Sequence, residues 1–213
     1  IVDTAEEFSA QPYVVAGEQE GVITGAGDRI YARGSFDDGQ AVYGIFRQGK
    51  TYTDPETKEF LGINADDIGS GELVSEEGDI ATLNLSRTTQ EVRPGDRLFP
   101  TAERAVNSTF MPSEPPTDVD GVILDVPRGV NRVGQFDVVT INKGKIDGLS
   151  EGNVLAVYKT GETVRDRVTG ESVKIPDERS GLLMVFRTYE KLSYGLVLYA
   201  TRDLALMDKV KNP

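Results

Sequence analysis

The chain repeats itself, and that repetition restricts its fold more than any single motif. GKTYTDPETKE from Gly49 and GETVRDRVTGE from Gly161 align without a gap, matching at Gly, Thr, Asp, Thr and Glu. Other stretches answer one another in the same order. GVIT at Gly21 is answered by GVIL at Gly121, GELVSE at Gly71 by GLLMVF at Gly181, and Asp96-Arg97-Leu98 by Asp208-Lys209-Val210. The separation between partners drifts along the chain, so loops differ while the order of segments holds. Recurrence of this kind is the mark of a duplicated structural unit.

The repeated unit reads as β. Short apolar runs rich in β-branched residues and bounded by turn residues predict strands. They fall at Tyr13 to Ala16, Arg29 to Arg33, Ala41 to Arg47 (closed by a Gln48-Gly49 turn), Thr51 to Thr53, Glu59 to Ile63, Gly71 to Val74 and Asp79 to Leu85. Val92 to Phe99 reads as a turn into a terminal strand, and Gly21 to Thr24 as a further short strand. In the second half, runs at Val138 to Ile141 and Val154 to Tyr158 flank glycines 144, 148 and 152, whose freedom at positive φ lets the chain bend between strands. A phosphate-binding reading of that loop fails. It needs a helix N-terminus behind the glycines, whereas a β-branched run follows, and Asp147 and Glu151 would repel an anion. Leu182 to Arg187 and Leu196 to Ala200 predict a hairpin of long strands. Helix is expected only at Thr4 to Ala10, with Thr4 as cap, and over Arg202 to Met207.

The expected fold class is therefore all-β, with duplicated small β-barrel-like modules and very little helix. The two modules form tandem barrels or a pair sharing strands. The expected boundaries are a lead segment 1–20, a first module 21–100, a crossover 101–120 marked by Pro112, Pro115 and Pro116, and a second module 121–213.

Composition removes many chemistries. The 213 residues include no His and no Cys, which excludes imidazole bases, Cys nucleophiles and the usual zinc sites. The absence of Cys is compatible with an oxidising compartment. A net charge of −12 argues against nucleic acid and anionic lipid as partners. No apolar run approaches the length of a bilayer span. The chain starts at Ile1 rather than Met, so a processed form with further sequence upstream is expected.

Two carboxylate clusters, Asp37-Asp38-Gly39 and Asn64-Ala65-Asp66-Asp67-Ile68-Gly69 with Glu72 nearby, lack the ligand spacing of a Ca²⁺ loop. They read as solvated turns. Glycoside hydrolysis runs on two carboxylates without His, but nothing nominates a pair. No catalytic, metal or cofactor-binding residue is assigned, and no cofactor is expected. The remaining candidates are the matched hairpin tips, Asp54-Pro55-Glu56-Thr57 and Asp166-Arg167-Val168-Thr169. Turn chemistry accounts for Asp54, Pro55, Thr57, Asp166 and Thr169, and the functional alternative is that both tips touch a partner.

GAGDRIYARG (25–34), YGIFRQGKTYTDPETKEFLG (43–62), VRPGDRLFP (92–100) and VVTINKGKIDGLSEGNVLAVYKTGE (138–162) taken in order carry a family resemblance. They resemble the C-terminal region of bacterial LysM-containing envelope proteins, in particular the type IV pilus secretin-associated family. That region is in turn related to the C-terminal domain of the flagellar assembly protein FlgT. The resemblance covers about Tyr13 to the C-terminus. It implies a periplasmic, non-enzymatic partner of the outer-membrane pilus secretin ring. Peptidoglycan would be gripped only by a LysM domain that is absent from this chain, and no catalytic residue is carried over. The alternatives are a glycan-binding or carbohydrate-active envelope protein and a flagellar-assembly accessory.

Overall fold

The computed structural model describes residues 1–18, 25–37, 39–101, 109–126 and 133–213. The expected strand at Gly21 to Thr24, residue Asp38 and the start of the crossover lie outside them. The chain forms two compact units, one of Ile1–Thr53 with Gly62–Val106 and one of Asp54–Leu61 with Asn107–Pro213.

After a short helix α1 (Ala5–Ala10), the first barrel is built from β1 (Tyr13–Gly17), β2 (Arg29–Arg33), β3 (Val42–Thr53), β4 (Phe60–Glu77), β5 (Ile80–Thr88) and β6 (Arg97–Pro100). The second contains β7 (Asp120–Asp125), β8 (Val138–Ile141), β9 (Val154–Lys159), β12 (Glu178–Thr188), β13 (Ser193–Ala200) and β14 (Lys209–Lys211). Between β9 and β12 stand β10 (Thr163–Arg165) and β11 (Ser172–Lys174), a two-stranded sheet of their own. Each barrel is closed by its own strands, so the two are tandem barrels that share no strand among the described residues.

The barrels have one topology. Read around from its first strand, the first runs β1-β2-β5-β4-β3-β6 and the second β7-β8-β13-β12-β9-β14. Bulges recur at the same places. β4 slips against β5 between Ser70 and Gly71 and between Leu73 and Ser75, while β12 slips against β13 between Leu182 and Leu183 and between Val185 and Arg187. This register pairs Gly181 with Gly69, not with Gly71 as the sequence match had it. From Gly49 to Asp96 the repeat then runs at one constant offset, the one that carries Asp54 onto Asp166 and Asp96 onto Asp208. Thr89 donating through N and Oγ1 to Ile68 O is reproduced by Thr201 donating to Ser180 O. By topology, the counterpart of β7 is β1.

Inward residues make two separate cores. Val14, Ile30, Ile45, Leu83 and Leu98 fill the first, and Ile123, Ile141, Leu155, Leu183 and Val210 the second. Each fully buried aliphatic side chain stabilises its barrel by about 1.5–3 kcal/mol. A four-residue turn ending in Asp starts β2, β6, β8 and β14. The Asp carboxylate accepts from the backbone N–H three residues earlier, at Gly25, Arg93, Gly134 and Ala205. The residue before each Asp takes positive φ, as glycine at Gly27 and Gly95 and as Phe136 and Met207 in the second barrel.

Several expectations are corrected. Of the expected lead 1–20, the described residues 1–18 are not a separate segment, because β1 is a barrel strand and Phe8 of α1 lies 5.7 Å from Phe99. Gln48-Gly49 is no turn, since β3 runs straight through it. The strands expected at Glu59 to Ile63 and Gly71 to Val74 are one strand, β4, and the Asn64-to-Gly69 cluster sits inside it. There Asp67 is held from the neighbouring strand by Arg87, at 2.8 Å through both oxygens, and Asp66 along its own strand by Asn64 at 2.6 Å. Cross-strand pairing outweighs the turn preference of Asp and Asn. Arg202 to Met207 is a bridge and a turn rather than helix. Gly148 and Gly152 do take positive φ, whereas Gly144 is extended at φ −138°. Gly144 is required instead by close approach, as a Cβ there would lie 2.4 Å from Glu190 O. α1 matches expectation, with Thr4 Oγ1 accepting from Glu7 N at 3.1 Å.

Candidate interaction site

The matched tips fold into one and the same turn. Asp54 N donates to Glu59 O and Lys58 N to Asp54 O, as Asp166 N donates to Glu171 O and Gly170 N to Asp166 O. Asp54 Oδ1 accepts from Glu56 N at 2.9 Å, and Asp166 Oδ1 from Val168 N at 2.8 Å. Thr57 and Thr169 both accept, through Oγ1, from the N–H two residues on. The turn closes through positive φ at Lys58 (62°) and Gly170 (80°). Asp serves here because its carboxylate caps N–H groups that no strand partner can reach.

Their surroundings differ. Residues 54–61 belong to the second unit. There Asp54 Oδ2 accepts from Asn142 Nδ2 at 2.8 Å, Lys191 Nζ donates to Glu59 Oε1, and Lys191 also reaches Phe60 O. Hydrogen bonds from Thr57 N, Asn142 and Glu56 N hold the Asp54 carboxyl down at about 2. Asp166 is lowered as well, chiefly by Val168 N and Thr169 Oγ1, both within its own turn. One tip is therefore held by side chains outside its turn, and the other satisfies itself.

The second tip ends a hairpin rooted by Asp177, which accepts from Gly161 N at 3.0 Å and from Lys209 Nζ at 2.7 Å. Gly161 cannot carry a side chain, since a Cβ would fall 1.9 Å from Ile175 O. Every residue of β10 and β11 is exposed. Thr163 pairs with Lys174 and Arg165 with Ser172, so those four share one face. Val164 opposite Val173, with Ile175 bonded to Glu162 O, makes the other face. One side is basic and polar, while the other combines valine and isoleucine with carboxylates.

Of the residues singled out in sequence, Asp54, Thr57, Asp166 and Thr169 are thus turn-builders, and Asp54 alone also bonds outside its tip through its side chain. The sequence reading missed Asn142 and Lys191, which hold the first tip, and the apolar face of Val164, Val173 and Ile175. Alternation over residues 172–175, Ser-Val-Lys-Ile, was the available signal for that face. Among the described residues, no group of His, Cys, Asp and Glu is arranged to hold a metal ion, and no helix is long and apolar enough to cross a membrane. Compared with known proteins, the chain matches no family model and no curated protein.

Proposed function

We propose that this chain is the docking body of a non-enzymatic periplasmic accessory protein that associates with the type IV pilus secretin ring. The observation that carries the docking part is the hairpin 161–175, an exposed two-faced element clamped at its root. A projecting hairpin suits a macromolecular partner, through strand edges and side-chain pockets, rather than a small molecule enclosed in a cleft. The secretin as partner rests on the family resemblance of 25–34, 43–62, 92–100 and 138–162. A LysM segment upstream, implied by that resemblance, would supply the grip on peptidoglycan. Two linked contacts raise effective concentration, so each is individually weak and the assembly still holds. The net charge of −12 favours a basic docking face, acting mainly on association rate and specificity.

The test is retention of the purified chain on immobilised pilus secretin and, separately, on peptidoglycan sacculi. Retention by secretin but not sacculi is expected, weakening as salt rises. Retention by sacculi alone would assign glycan binding to the barrels and remove the docking reading. Salt-independent retention would remove its electrostatic part.

A further inference from the structure

Carrying the repeat offset through the two hairpins places Tyr52, Leu61 and Ile63 at the positions of Val164, Val173 and Ile175. The first three are 3%, 5% and 2% exposed, and the second three 40%, 43% and 40%. The tip residue Val168 is 94% exposed. One face of the same structural element is thus covered in one copy and bare in the other. It remains apolar in both, although a hairpin serving only as a loop would lose nothing by carrying polar residues there.

We infer that the β10–β11 hairpin is a docking element whose partner is a protein surface offering apolar side chains beside a lysine ammonium and a side-chain amide. The partner's chemistry is read from the first hairpin. Its tip has the same Asp, Thr and Glu in the same turn, and it engages the amide of Asn142 through Asp54 and the ammonium of Lys191 through Glu59. Asp166 and Glu171 hold the corresponding places on the bare hairpin. Its apolar face also carries Glu162, which adds a further carboxylate for a basic partner.

A second copy of this chain does not fit that description. Its Asn142 and Lys191 are already taken by its own residues 54–61, which chain continuity keeps at high effective concentration. The homologous positions of its first barrel, counted from Asp28 for Asp137 and by the repeat offset for Lys191, are Arg33 and Asp79. Those two are paired with each other at 2.7 Å, and Asp79 would oppose Glu171. The partner is therefore a different protein. The inference rests on the docking reading only in taking a protein as ligand, and it does not require that protein to be the secretin.

The experiment places a photoreactive benzoylphenylalanine at Val168 of the full-length protein in its own cells, with the same residue at exposed Val74 as control. Adducts are identified by mass spectrometry, and the measurement is repeated with Glu171→Lys and with Val164→Ser/Val173→Ser. These side chains are exposed, so an unchanged melting temperature certifies folding. The expected result is a discrete heterologous adduct at 168 but not at 74, mapped to a lysine-containing apolar surface. Its yield should fall about tenfold or more in the variants, as loss of a charge pair or apolar contact predicts. If the adduct is the secretin, both readings stand. If it is another protein with the same variant sensitivity, the hairpin inference stands and the secretin assignment falls. An adduct only with a second copy, no adduct at 168, or a yield indifferent to the variants overturns the inference.

Discussion

Residues 50–63 and 162–175 are two copies of one hairpin, and they differ in what surrounds them rather than in how they fold. Their tips share every backbone hydrogen bond of the turn. Yet the first continues into its barrel as the ends of β3 and β4, whereas the second separates into a small sheet of its own. Ile63 also pairs through its backbone with Val2 of the N-terminal segment, N to O at 2.9 Å in both directions. Turn chemistry is thus enough to specify the tip, while burial decides whether the strands beneath it belong to a barrel. Duplication supplies a ready-made hairpin, and only the environment of each copy gives it a role.

The largest effect expected from perturbing this pair is apolar. Leu61→Ser with Ile63→Ser should cost about 4 kcal/mol or more, because buried aliphatic groups are lost and hydroxyls enter a covered site. Val164→Ser with Val173→Ser should stay within about 0.5 kcal/mol, as for other exposed sites. Urea denaturation of both variants checks the contrast, and equal losses would break it.

A second asymmetry lies beneath the hairpins. Arg47 grips buried Asp96 through two hydrogen bonds, of 2.7 and 2.8 Å. At the matching positions, Lys159 only faces buried Asp208 electrostatically. Arg47→Ala strands a buried carboxylate and should cost about 3 kcal/mol. Lys159→Ala should cost under about 1 kcal/mol, in line with weakly coupled pairs. Comparable losses in the two variants would show that the two turns are electrostatically alike after all.

Acid titration separates the tips next. Asp54 is depressed from 3.8 to about 2 in the folded state. Its contribution is therefore fully present above pH 4 and lost as pH falls towards 2. It amounts to about 2 kcal/mol by linkage. Asp54→Ala should lower stability at neutral pH and flatten its decline between pH 4 and 2. Asp166→Ala should shift the same curve in the same direction but less, since its carboxylate is bonded only within its own turn, whereas Asp54 is also held by Asn142. Thermal melts across that pH range would show the difference.

The smallest effect has the opposite sign. Burial raises Asp208, so this group binds its proton more tightly when folded, and stability falls as pH rises through its folded value. Asp208→Asn keeps an acceptor for Ala205 N and removes the buried charge. It should be neutral or stabilising by under about 1 kcal/mol at pH 7. Asp96→Asn, which breaks the Arg47 pair, should be destabilising. Melting temperatures at pH 7 give the sign directly.

How much was legible beforehand varied with the range of the forces involved. Arg29 to Arg33 and Val138 to Ile141 were read to the residue, because β-branched alternation and flanking turns are local signals. The duplication was legible at Asp54/Asp166, where turn geometry ties residue identity to position. Strand length was not. Gly49, Asn64, Asp66 and Asp67 are turn-formers by local preference, yet β3 and β4 continue through them because neighbouring strands satisfy the backbone and Arg87 pairs with Asp67. Nor could the sequence separate the two hairpin faces by exposure, since Tyr52, Leu61 and Ile63 are as apolar as Val164, Val173 and Ile175. What covers them is set by tertiary structure.

The most direct test of the account is amide hydrogen–deuterium exchange on the chain alone and with purified pilus secretin. In the free protein, amides over 50–63 should be protected and those over 162–175 should exchange rapidly. Secretin should then slow exchange over 162–175. Binding that protects other segments while 162–175 exchanges as in the free chain would contradict the account.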